Sequence, residues 1–227
     1  MDDALRTDQT TYNEAVVDLL GALAYAELIA FERLAEDAKL APTLADKAAL
    51  AEMAAAEFGH FQLLERRLNE MGADSEAAMR PFVGPFDAFH AQTHPSDWLE
   101  GLVKAYVGDG IAADFYREVA AYVDEETRKL VLEVLADTGH ARFAVERVRG
   151  AIEDDPRIAG RLALWARRLV GEALSQAQRA AAERDALSSL LVGGVDRPGT
   201  DLAEIGRMFA RLTEQHTKRM ATLGLSA

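Results

Sequence analysis

Cysteine is missing from all 227 residues. That excludes disulfides and thiolate ligands, so any metal site must use oxygen and nitrogen donors. Aromatic residues make up only 7% of the chain, with 6 prolines and 16 glycines. This scarcity, beside abundant alanine and leucine, points to helices. Long apolar runs are also lacking. The stretch 16–30 is interrupted by Asp18 and Glu27, which excludes a bilayer span there. The opening MDDALR is acidic, unlike the n-region of a signal peptide, and the expectation is a soluble, cytoplasmic protein with no membrane partner. The net charge of −13 argues against generic nucleic-acid binding. The charge is uneven, with nine arginines against six acids over residues 142–184. Arg161, Arg167 and Arg168 could contact phosphate there, and the plainer reading is a solvated helix surface.

What is present is 49% hydrophobic residue content, enough for one sizeable core or two small ones. The prolines at 42, 81, 85, 95, 156 and 198 punctuate long segments of helical periodicity. A first helix is expected over residues 10–40. A second starts at a Thr43 cap with Asp46 in the capping-box position, and stops near Gly72. Residues 73–95 form a connection too long for a turn, expected to carry short helical pieces. Asp97 with Glu100 opens a third helix reaching residue 122. Asp124 caps a fourth that runs to Gly150. Asp155-Pro156 starts a fifth ending near residue 191, and a loop covers 192–200. Asp201 with Glu204 opens a sixth, ending near Leu223.

Short links make helices one and two, and helices three and four, antiparallel hairpins. The long connection lets the second hairpin cross over and pack on the first. The expected fold is all-α: a four-helix bundle with one long crossover and two extra C-terminal helices. We expect one domain over 1–227, with the bundle at 10–150 and a helical extension at 155–223.

The chemistry concentrates in a repeated spacing. The stretch AAAEFGHFQ places Glu57 and His60 three apart on one helix, among small and apolar neighbours. Alone this is weak, but LADTGHARF repeats it with Asp137 and His140 on the equivalent helix of the other hairpin. Counted outward from the Pro42 turn, Glu27 comes level with Glu57. Counted from Asp124, Asp109 comes level with Asp137. Four carboxylates and two imidazoles then share one level of one bundle. Four buried carboxylates cannot all ionise without counter-charge, and two divalent cations supply it. Hard oxygen donors with one imidazole per ion suit iron or manganese. Glu32 rivals Glu27, and Asp114 rivals Asp109 or orients a ligand histidine.

Glu27, Glu57-x-x-His60, Asp109 and Asp137-x-x-His140 resemble the ferritin-like di-iron carboxylate proteins over residues 10–150. Within that superfamily, the segments AELIAFERLAEDAKLAPTLADKAALAEMAAAEFGH and YVGDGIAADFYREVA are similar to the tRNA 2-methylthio-isopentenyladenosine hydroxylase group. The acids Asp109 and Asp114 ahead of Phe115 carry part of this likeness. The resemblance implies two iron ions (or manganese), dioxygen activation, hydroxylation of an unactivated carbon, and an external electron donor. Modified tRNA is the substrate it suggests, against the acidic net charge. Asp109 and Asp137 depart from the group, which has Glu there; each is shorter by one carbon–carbon bond, about 1.5 Å. Two other functions remain open: a ferroxidase-type iron-binding protein, and a metal-free helical interaction module. A homodimer is also left open. Tyr25, Tyr106 and Tyr116 lie near the site in sequence and read as core packing. His90 and His94 read as surface or capping residues, and His216 as structural or solvated.

Overall fold

The computed structural model describes residues 2–136, 139–183, 189–191 and 201–227. Helix α1 (Asp2–Asp37) and α2 (Leu44–Glu70) form the first hairpin. Thr43 caps α2 as its spacing suggests: its side chain accepts from the Asp46 amide, and its hydroxyl donates to the Asp46 carboxylate at 2.7 Å. Asp46 also accepts from Arg147 Nε at 2.7 Å, tying the turn to the far hairpin.

The crossover is more regular than expected. Instead of short pieces it holds one 18-residue helix, α3 (Ser75–Gln92), with Pro81 and Pro85 inside it. Asp74 caps α3 by accepting from the Ala77 amide. The helix lies along α1. Gly21 makes that approach possible, because a Cβ there would sit 2.3 Å from the carbonyl oxygen of Ala78.

The second hairpin is broken in both limbs. Its first limb is α4 (Trp98–Lys104), a π-helical turn (Ala105–Asp109), α5 (Gly110–Val119) and a 3-10 turn (Ala120–Tyr122). Its second limb is α6 (Glu125–Val134) and α7 (His140–Asp154). The continuous fourth helix expected from Asp124 to Gly150 therefore does not form. Gly139, at φ +103°, takes a left-handed conformation that ends helical continuity just before His140. Asp137 lies outside the described residues.

The long helix α8 (Ile158–Glu183) packs on α3 and α4, and α9 (Leu202–Leu223) packs on α5 and α7. Asp201 caps α9 through the Glu204 amide at 2.7 Å. Arg211 holds both oxygens of Glu118, at 2.8 and 2.7 Å, and so fastens α9 to α5. The arginines considered for phosphate binding are used internally. Arg161 pairs with Asp97 at 2.7 Å, Arg167 donates to the Ser226 carbonyl, and Arg168 donates to the Gln92 carbonyl.

Buried apolar side chains form two clusters, at different levels of the bundle. One gathers Leu34, Leu50, Leu102 and Val148; the other gathers Leu20, Leu64, Val119 and Val131. On α1, Glu27 falls between the residues that serve one cluster and those that serve the other; on α2, Glu57 and His60 do the same.

A second polar group anchors the C-terminal end of α3. Lys104 Nζ donates to the Thr93 carbonyl at 2.8 Å and sits 5.5 Å from the Phe89 ring centre. His90 is not on the surface: its Nδ1 is buried without a partner. Burial, together with the cationic Lys104 and Arg33, pushes its pKa down to about 3.

Three outcomes are expected. Gly21→Ala should destabilise the protein by roughly 1–3 kcal/mol, since backbone must move. Gly171→Ala on the open side of α8, where no atom lies within 4 Å, should instead stabilise by about 0.5–1 kcal/mol. Denaturant unfolding measures both. His90 has a folded pKa below its unfolded value of roughly 6.5, so its stabilisation is complete above that value and fades as the pH falls towards 3. The unfolding midpoint should drop between pH 7 and pH 5, and His90→Gln should flatten that drop.

Candidate metal centre

Glu27 from α1 and Glu57 and His60 from α2 bring one ligand atom each to within 4.8 Å of one another. Short hairpin geometry and the i, i+3 spacing account for this convergence. His140 of α7 stands outside that trio but reaches the Glu57 carboxylate. His60 Nδ1 lies 3.3 Å from Glu57 Oε2, and His140 Nδ1 lies 3.1 Å from Glu57 Oε1. One carboxylate thus spans two imidazoles, one on each oxygen. Glu27 Oε2 lies 3.5 Å from His60 Nδ1, too long for a good hydrogen bond, and is buried without a partner.

The electrostatics follow from burial. Glu27 is only 8% exposed. Burial pushes its pKa well up, and the neighbouring Glu57 adds to this. Burial acts on Glu57 in the same direction, but His140 and His60 outweigh it and hold Glu57 ionised. Glu27 and Glu57 together raise the imidazole of His60 to about 10, against the effect of burial.

These side chains line a cavity of about 350 Å³. Asp109 lines it too, at the end of the π-helical turn. The residue as a whole is exposed, yet protein atoms crowd around its carboxyl, and it stands outside the close trio of Glu27, Glu57 and His60. Depth governs its proton affinity: burial raises its pKa well above the usual range, and the charge of Glu57 adds to that. A π turn adds a residue to the helical repeat and commonly marks functional positions. Gly108 and Gly110, both poor helix formers, flank Asp109.

The rival positions lie elsewhere. Glu32 is exposed. Asp114 accepts from Arg117 at 3.2 Å and is paired with Arg219. Tyr25 turns to α3 and donates to Asp87 at 2.9 Å; burial and that carboxylate push its hydroxyl up to about 12. Tyr106 and Tyr116 do line the cavity. Burial, with Glu27 nearby, raises the Tyr116 hydroxyl pKa. His216 is buried, and its Nδ1 has no partner.

Arg219 is the wall residue that sequence reasoning missed. It reaches from α9 to Asp114, donates to the Gly110 carbonyl at 3.0 Å, and lines the cavity. A signal existed: Leu212, His216, Arg219 and Leu223 recur at helical steps, placing a cation in an apolar stripe.

The donors suit a hard divalent cation. They combine carboxylate oxygens and imidazole nitrogens, with a buried oxygen of Glu27 still lacking a partner. Fold and site together define an all-helical, ferritin-like protein. A family profile described as "Ferritin-like domain, actinomycetes" matches residues 10–194, and the chain belongs to that family. Among solved structures it is similar to "Protein 19 with aldehyde deformylating oxidase activity from Synechococcus". The match has a TM-score of 0.71 at 20% identity, covering 96% of this chain and 93% of that one. At that identity the likeness shows the fold. No curated protein sequence matches the chain.

Asp114→Asn weakens a partly buried pair with Arg219 and should cost roughly 1–3 kcal/mol of stability in denaturant unfolding.

Proposed function

We propose that the protein is a non-haem di-iron oxidoreductase that hydroxylates an organic substrate. The observation that carries this reading is the Glu57 carboxylate set between two imidazoles, beside the unpartnered Glu27 oxygen. Glu27, Glu57, His60, Asp109 and His140 would hold the irons, with Asp137 assigned on its sequence spacing alone. Manganese is compatible with the same donors. Bound reduced iron supplies the electrons that activate dioxygen.

The chain's own residues do the rest. Glu57 offers a different oxygen towards each histidine, so it can serve two cations at once. Glu27 is buried and Glu57 half-buried, which limits competition from bulk water at those two carboxylates. Tyr106 and Tyr116 close the cavity walls beside the acids. Hydroxylation balances as substrate C–H, dioxygen, two electrons and two protons giving C–OH and water, so an external donor must deliver two electrons per turnover. The likeness to the tRNA hydroxylase group supports the reaction type. Modified tRNA is a poorer fit as substrate, because the net charge is −13 and the arginines on α8 named above are engaged within the chain.

Metal analysis of protein made in iron-replete medium should find about two irons per chain. His60→Ala should lose most of that metal, whereas Asp114→Asn should load normally. Absence of metal after anaerobic Fe(II) addition, or normal loading of His60→Ala, would falsify the assignment.

A further inference from the structure

Behind Tyr116 lies a second chamber, of about 380 Å³. It sits outside the four-helix core. Its walls come from α3 (Phe82, Phe86), α5 (Ile111), α8 (Leu174) and α9 (Met208, Leu212). Among the described residues the lining carries no charged side chain; Tyr116 and Gln176 are its polar members there. Ala112 and Tyr116 belong to the walls of both this chamber and the cavity of Glu27 and Glu57. The partition between the two spaces therefore includes one ring and one methyl group. No hydrogen bond to the Tyr116 hydroxyl forms among the described residues.

A half-open apolar chamber of this size, adjoining a carboxylate-lined cavity, has the dimensions and chemistry of a small-molecule subsite. Its lack of charge disfavours phosphate, carboxylate and ammonium groups. We propose that it holds the hydrocarbon tail of the substrate, whose oxidisable end passes Ala112 and Tyr116 to face Glu27, Glu57 and Asp109. The substrate class is then an uncharged aliphatic chain compound. On this view α8 and α9 are the outer wall of the substrate site. The assignment rests on the oxidoreductase reading above for the reaction, though not for the binding.

The test is calorimetric titration of the full chain with decanol, with butanol as the short control. It is run on metal-free protein and on protein loaded with cobalt(II) as a spectroscopic probe. Decanol should bind saturably, and butanol far more weakly. Leu174→Trp should weaken decanol binding roughly tenfold or more by filling the chamber, with cobalt uptake unchanged. Leu212→Trp fills it from the α9 side if the first variant does not fold. Decanol should also shift the visible absorption of bound cobalt. Absence of saturable binding, indifference to both tryptophan variants, or binding that leaves the cobalt spectrum unmoved each overturns the proposal. Failure to take up cobalt sinks the metal reading instead, and tail binding is still scored on the metal-free protein.

Discussion

Carboxylates buried at the level where two apolar cores meet are the constraint on which this structure turns. Leucines above and below lock α1 and α2 together, and between them the chain spends a layer on acids and imidazoles. Removing such groups from water is costly unless charge is balanced. The protein balances part of it internally, by setting Glu57 between His60 and His140. Burial pushes the pKa values of Glu27 and Asp109 well up, so protons neutralise them unless another positive charge takes that place. Stability is supplied by the two flanking cores, which leaves the middle layer free to serve chemistry.

The elements outside the bundle have a matching logic. The α3 helix is pressed against α1 through Gly21. The α9 helix is fastened to α5 by Arg211 on Glu118 and by Arg219 on Asp114. These contacts hold α3, α8 and α9 around a space that the bundle does not fill. The arginine-rich stretch, which in sequence invites thoughts of phosphate, works instead as internal fastening.

Much of this was legible in the sequence, for identifiable reasons. Caps are local, so Thr43, Asp97, Asp124 and Asp201 stand where their spacing puts them. The pairing of Glu27 with Glu57 follows from counting outward from one turn, and a short hairpin permits little else. The second hairpin resisted the same treatment because periodicity assumes an unbroken helix. The π turn at Ala105–Asp109 and the left-handed Gly139 each interrupt it. Asp137 lies outside the described residues, so a spacing argument alone carries it. Arg219 and the chamber behind Tyr116 arise from contacts between helices far apart in the chain, which no local pattern encodes.

The π turn also has an evolutionary corollary. Relative to ordinary α-helix it is one residue too long, and a residue in a helix corresponds to a rotation of about 100°. Deleting a single residue there would restore regular winding and swing the acid off its axis, at some cost to the packing of Val107 in the same turn. The loss of one codon here would therefore re-aim Asp109 by about 100° relative to the helix that follows it.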